Sequence, residues 1–235
     1  MGAINSIAGG AGIIGLLAFE YGFDLPLETA NPSTRLSAVA IGVFACIGFV
    51  RAGREIPKQA FMQALAALPG ALLGAKLALS LPPLVFRSYL ALIMVLLLVQ
   101  QLRGIKPGDK RSPAWVGILG CFVIGLHMGY AQVGTGLVAT LVLANAYDRD
   151  LLAVNSAKCI VVMMTAIVST TSLAIDGAIT WEPAIALAIG CAIGSYLASH
   201  WSVKQGAETV RRIVLVIAAL ALLEQLRQIY NLLAG

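Results

Sequence analysis

Residues Gly125–Lys158 read GLHMGYAQVGTGLVATLVLANAYDRDLLAVNSAK, and Gly2–Arg35 read GAINSIAGGAGIIGLLAFEYGFDLPLETANPSTR. Both stretches open on glycine and reach a Gly-x-Gly break, Gly10-Ala11-Gly12 in one and Gly134-Thr135-Gly136 in the other. Both then run through an apolar segment into an acidic turn and end on Asn followed by a cation, Asn31 with Arg35 and Asn155 with Lys158. One offset aligns the Gly-x-Gly pairs and the two Asn. A second offset, one residue shorter, aligns Gly2 with Gly125 and Arg35 with Lys158, so one residue has been gained or lost inside the unit. A Gly-broken apolar segment with a cation at membrane depth, present twice, is the repeat pattern of secondary transporters.

Composition sets the surroundings of this repeat. The 235 residues are 59% hydrophobic and 11% charged, with a mean hydropathy of +0.89. Soluble domains average about 25% charged residues. A chain this apolar exceeds what a soluble fold of its size can hide, which indicates an integral membrane protein. Apolar runs of about 20 residues recur along the chain, as helices require and a β-barrel does not. The net charge of +5 sits in short loops, so it signals topology and not nucleic acid. Cys46, Cys121, Cys159 and Cys191 are scattered singly and read as buried thiols, with no metal-ligand spacing and no cofactor implied. No signal-peptide pattern is visible at the start.

The expected elements follow in order. Residues 1–19 form a first broken segment. In the second unit Pro113–Ile124 precede Gly125, and their counterparts would lie before Met1, so a shortened first arm or a longer natural N-terminus is expected. Glu20, Asp24 and Glu28 mark an acidic turn over 20–31. Asn31-Pro32 reads as an N-cap with proline in the first helical position. Helices are expected to about Val50, over 58–80 and over 84–102, with the Pro82-Pro83 turn between the last two. The loop 51–58 is net +2 and RGIKPGDKRSP, 103–113, is net +3. The latter separates a first repeat, 1–102, from a second, 114–235. The second broken segment runs to about Ala146 and is followed by Asp148-Arg149-Asp150. Helices are then expected over 151–174, 182–200 and 209–231.

Loop charge decides how the broken segments run. If 113–146 crossed once, the acidic loop at 176–182 would be cytoplasmic and the basic loop at 201–212 external, against the positive-inside rule. If the segment dips in and returns, 51–58, 103–113 and 201–212 are all cytoplasmic and both acidic loops are outside. The expectation is therefore an all-α polytopic membrane protein. It is built of two inverted repeats, each a Gly-broken re-entrant helical hairpin plus three transmembrane helices.

Such hairpins place bare backbone N–H groups at membrane depth, which favours anions. For Gly2, Gly9, Gly70 and Gly74 close helix packing is the expected role; for Gly10, Gly12, Gly134 and Gly136 it is substrate binding. Arg35, Lys76 and Lys158 are read as the cations within crossings. A charge at a helix centre costs about 2.5–3.5 kcal/mol on insertion scales. No acidic residue sits at helical spacing beside Arg35 or Lys158, so a ligand is their expected counter-charge. Lys76 lies within two turns of its helix end and is expected to snorkel. Asn5, Ser6, Gln132 and Thr135 flank the breaks as donors. Asn31, Thr34, Asn155 and Ser156 open the following helices, where capping competes with substrate contact. His127 is either a proton relay or a hydrogen-bonded packing histidine. Glu224 and Arg227 read as a surface i, i+3 pair. Trp115, Trp181 and Trp201 read as interfacial anchors. No nucleophile–base set or metal motif is present, which argues against an enzyme.

At these residues the sequence resembles the TauE/SafE family of sulfite and organosulfonate exporters. GAINSIAGGAG followed by ANPSTRL resembles that family's Gly-rich opening and AN-x-T-N-R element. VGTG followed by AVNSAK resembles its G-x-G and N-x-T-K element. The likeness covers nearly the whole chain. Ser33 and Thr34 replace the family's Thr-Asn, Ala157 replaces a Thr, and Pro32 falls inside the first element, so the polar set differs at those positions. The resemblance implies export of sulfite, sulfoacetate or related organosulfonates across the bacterial inner membrane. The implied partners are a small anion and the lipid bilayer, with no nucleic acid and a homodimer left open. A membrane scaffold without transport and an anion channel of the same fold are the alternatives.

Overall fold

The computed structural model describes residues 1–8, 12–103, 114–144, 146–147, 151–201 and 207–234. Gly9, Gly10, Ala11, the basic linker from Gly104 to Pro113, and Asp148-Arg149-Asp150 fall outside the described residues. The described elements are helices: α1 Gly2–Ala8, α2 Gly12–Gly22, α3 Leu27–Ser33, α4 Arg35–Arg51, α5 Gln59–Ser80, α6 Pro83–Arg103, α7 Ala114–Tyr130, α8 Thr135–Ala144, α9 Leu151–Ile175, α10 Trp181–Trp201 and α11 Ala207–Ala234.

Length divides them into two sets. The spans Leu27–Arg51, Gln59–Ser80, Ala153–Ile175 and Trp181–Ser199 are each long and apolar enough to cross a membrane. At 21 and 28 residues, α6 and α11 also reach the ~20 residues that a crossing needs. Helices α1, α2, α7 and α8 have 7, 11, 17 and 10 residues and are the arms of the broken segments. A Cβ placed on Gly120, early in α7, would meet the Val142 side chain late in α8, so α8 runs back along α7. In the same way Gly15 of α2 packs against the Met1 side chain at the start of α1. The second broken segment is thus a hairpin.

Packing is set by small residues. α5 and α7 approach until backbone touches backbone: Gly70 and Gly74 face the backbone of Phe122, Leu126 and Tyr130, and Gly125 and Gly129 face that of Ala67, Ala71 and Ala75. Lipid supplies no hydrophobic drive between helices, so close dispersion contact does the work. Gly2 lies against the Cys191 backbone of α10 in the same manner. The close-packing role expected for Gly2, Gly70 and Gly74 holds, while Gly9 lies outside the described residues. α10 also packs along α4, α9 lies against α4 and α5, and α6 lies against α11. Outward faces are apolar, with Leu72, Ile118, Ile189 and Leu220 exposed, as lipid contact requires. Trp115 and Trp181 are exposed near helix starts, and the four cysteines are free and buried.

Two expected boundaries shift. The helix expected to begin at Asn31-Pro32 begins at Leu27 instead, with Pro26 as its extended N-cap and Pro32 inside it. Proline lacks the N–H for the helix ladder, and the chain turns at Thr34 before α4 resumes at Arg35. Asn31 is therefore not a cap, and its amide is free for long-range contacts. Glu20, expected in the turn, lies in the last turn of α2.

Candidate transport site

The break between α7 and α8 is the structural centre. Ala131 and Gln132 N–H groups both donate to the His127 carbonyl, at 2.9 and 3.3 Å, which closes α7. Gln132 then adopts φ 54° and Gly134 φ 82°. Glycine takes this left-handed backbone freely, but a residue with a Cβ does so at a cost. The strain at Gln132 is held by its side chain. Its Oε1 accepts from Arg35 Nη1 at 3.3 Å, and its Nε2 donates to Ser37 Oγ at 3.3 Å. Thr135 donates from both N–H (3.0 Å) and Oγ1 (2.6 Å) to the Gln132 carbonyl, which starts α8.

Arg35 is fully buried and threads α4 onto this break. Nη2 donates to the carbonyls of Tyr130 (2.8 Å) and Gly129 (3.2 Å) and to Asn31 Oδ1 (2.9 Å). Nη1 donates to Asn31 O, Thr34 Oγ1 and Gln132 Oε1. Asn31 Nδ2 also donates to Tyr130 O at 3.1 Å. Arg35 thus satisfies the carbonyls that α7 leaves open where it ends, using the fan of donors that a guanidinium offers. None of these acceptors is a carboxylate, so the charge is hydrogen-bonded without being neutralised.

His127 is held on both ring nitrogens. The Val133 carbonyl can only accept, so Nε2 carries the proton and donates to it at 2.8 Å. Nδ1 then accepts from Tyr89 Oη of α6 at 2.5 Å. This is the packing role considered for His127, and the residue does not line the cavity described next.

A cavity lies beside the second break. It is lined by Asn5 and Ser6 of α1, Gln132, Thr135 and Gly136 of the second break, and Lys158 of α9, against apolar walls from α4, α7 and α9. The start of α2 reaches the same break, since a Cβ on Gly12 would lie 3.1 Å from Val133 Cα. Lys158 is 4% exposed. Its Nζ donates to Asn155 Oδ1 at 2.8 Å, its one hydrogen-bond partner among the described residues. An ammonium has three donors, so two remain to face the cavity. Ser6 Oγ hydrogen-bonds Ser195 Oγ at 2.8 Å, and Asn5 makes no side-chain hydrogen bond among the described residues. The cavity volume is about 20 Å³, room for a water molecule or two.

The structure thus brings Asn5, Gln132, Thr135, Gly136 and Lys158 to one space and sets Gly12 and Gly134 at its edge. Asn31, Thr34, Arg35 and His127 form the layer behind it. Asn155 reaches the site through Lys158, and Ser156 turns back to the Ala153 carbonyl at 3.0 Å. Gly10 lies outside the described residues. Lys76 is 61% exposed but does not merely snorkel, because its Nζ pairs with Asp176 at 2.8 Å. Glu224 and Arg227 pair at 3.0 Å as expected. Arg87, near a helix start, carries no signal in the sequence that sets it apart, yet it is a largely enclosed cation, 13% exposed and paired with Glu20 at 2.8 Å. Met128, Cys159 and Val162 line the cavity without any signal in the sequence beyond apolarity.

Long apolar helices around broken helical segments, with polar side chains and a buried lysine on one cavity, define a multi-pass helical membrane protein of the transporter class. The chain belongs to the sulfite exporter TauE/SafE family, whose model matches residues 1–224. A probable membrane transporter protein, ORF9, of Sinorhizobium sp. is 26% identical over 224 residues, covering 92% of this chain and 85% of that protein. No solved structure matches.

Proposed function

We propose that the protein exports small sulfur-containing anions (sulfite, sulfoacetate or related organosulfonates) across the bacterial inner membrane, and that it binds them in the cavity beside the second break. The observation that carries this reading is the charge balance there. Lys158 and Arg35 are both buried, and no carboxylate touches either among the described residues. Two buried cations without a counter-ion are costly in a membrane, and an anion held by Lys158 relieves that cost. Asn5, Thr135 and the N-terminus of α8 add neutral donors and a favourable dipole. The sulfur chemistry comes from the family.

The halves 1–102 and 114–235 work as inverted repeats in this reading. Exchanging α1 with α7, α4 with α9, α5 with α10 and α6 with α11 carries α4–α10 onto α9–α5 and α1–α10 onto α7–α5, and leaves α4–α9 and α6–α11 in place. That pattern supports two equivalent units rocking about a shared site. The cavity is too small for a polyatomic anion, so binding requires the walls to move apart.

The test is flux of labelled sulfite and sulfoacetate in proteoliposomes of wild type, Lys158→Gln and Arg35→Gln, with folding checked by thermal unfolding. Wild-type flux with loss in folded Lys158→Gln supports the reading. Full flux in Lys158→Gln removes the cavity as the site. Saturable flux stimulated from the opposite side marks a carrier, and linear conductance marks a channel.

A further inference from the structure

Three ion pairs stand among the described residues. Lys76–Asp176 and Arg227–Glu224 are open to the surroundings, each with a cation more than 60% exposed. Glu20 and Arg87 differ: their side chains are 8% and 13% exposed, and Arg87 Nη2 meets Glu20 Oε1 at 2.8 Å. The pairing is incomplete. Glu20 Oε2 and Arg87 Nη1 are both buried and without a hydrogen-bond partner. A pair serving only as a staple would be expected to use both oxygens in the two-pronged geometry that guanidinium and carboxylate share.

The two helices joined by this pair both reach the break beside the cavity, α2 with its first residue and α6 with its middle. Glu20 is in the last turn of α2, whose first residue, Gly12, packs on Val133. Eight residues of helix span about 12 Å, so one rigid rod links the pair to the hairpin tip. Arg87 is near the start of α6. Two residues on, Tyr89 Oη bonds His127, which bonds the Val133 carbonyl. Further along, Ile93 packs on Gly134, where a Cβ would lie 2.9 Å from Ile93 Cγ2. Val133 and Gly134 link Gln132 to Thr135, which line the cavity, so any separation of α2 from α6 moves that lining.

We propose that Glu20 is the proton site that couples a pH gradient to anion transport, with Arg87 as its partner. This rests on the transport reading above. A proton from water at the end of α2 adds to the Glu20 carboxylate and yields a neutral carboxyl. Arg87 keeps its charge and loses its partner. A buried ion left alone is strongly unfavourable, so α2 and α6 part and the hairpin tip shifts. Release of the same proton restores the carboxylate and the pair. One proton is taken up and one released in each cycle.

The other charged and titratable groups facing α2 are already engaged or exposed. Glu224 of α11 accepts from Arg227, Gln228 and Tyr21 Oη. Glu28 of α3 is exposed. Glu20 thus has Arg87 alone as its ion-pair partner.

The experiment uses the full chain in proteoliposomes and compares two modes for labelled sulfite and sulfoacetate: exchange at equal pH, and accumulation driven by a pH gradient. A trapped pH dye follows protons. Wild type is expected to accumulate anion with the gradient and to move protons with it. Glu20→Gln is expected to keep wild-type exchange and lose gradient-driven accumulation, while Glu20→Asp restores it. Accumulation by Glu20→Gln equal to wild type overturns the proposal, as does loss of equal-pH exchange in Glu20→Gln, which marks a staple. Wild-type exchange with no proton movement overturns it without reference to any variant, and leaves the transport reading intact. No flux of either anion in wild type overturns that reading and this inference with it.

Discussion

At residue scale, the two cations that end the repeated stretches have different surroundings. Arg35 is enclosed by six protein acceptor contacts, whereas Lys158 has Asn155 alone among the described residues. Their variants should fail differently. Arg35→Lys removes the fork that serves Gly129 and Tyr130 carbonyls together. Each buried carbonyl left unmet costs about 1–3 kcal/mol, so a lowered thermal midpoint in detergent is the expected result. Lys158→Gln removes a charge-assisted contact worth about 1.5–3 kcal/mol, or about 10- to 150-fold in anion affinity. Its thermal midpoint should stay near that of wild type, since the lysine satisfies little of the protein. Affinity measured by anion-induced stabilisation separates the two. Tyr89→Phe should cost about 1 kcal/mol through the lost bond to His127, read in the same melt.

At the scale of elements, the α5–α7 seam is the tightest contact, because an added Cβ on Gly74 or Gly129 would strike backbone and not a movable side chain. Gly129→Leu should therefore cost about 3 kcal/mol or more, beyond ordinary overpacking, and reduce the folded yield by size-exclusion chromatography. Gly117, whose added Cβ meets nothing, is the control: Gly117→Leu should leave the yield unchanged. The shift of the α3 start from Asn31 to Leu27 belongs to this scale too. The Asn-Pro pair carries the local signature of a helix start, and the long-range bond of Asn31 to Tyr130, with its i, i+4 bond to Arg35, overrides it.

At the scale of the whole molecule, the hairpin geometry returns the end of α8 to the side on which α7 began. Single cysteines at Trp115 and Tyr147 in a background without native cysteines should label from the same side of the membrane, the cytoplasmic side by loop charge. Labelling from opposite sides would restore a single crossing and remove the inverted relation between halves.

What the sequence determined by itself is the class and the element plan. Composition required a bilayer and apolar runs required helices, while loop charge supplied the expectation of two hairpins. These readings depend on local chemistry, which one stretch of chain carries alone. The Gly-x-Gly and Asn-cation motifs of the second half singled out residues that the fold brings together, since Gln132, Thr135, Gly136 and Lys158 share one cavity. Only the tertiary structure decided roles within it. Whether a cation faces a cavity or a set of carbonyls depends on which remote backbone is brought beside it, and Arg35 meets residues 94–97 positions away. The same reason hid the Glu20–Arg87 pair. Two charges 67 residues apart carry no shared periodicity, and only the packing of α2 beside α6 makes them one buried unit.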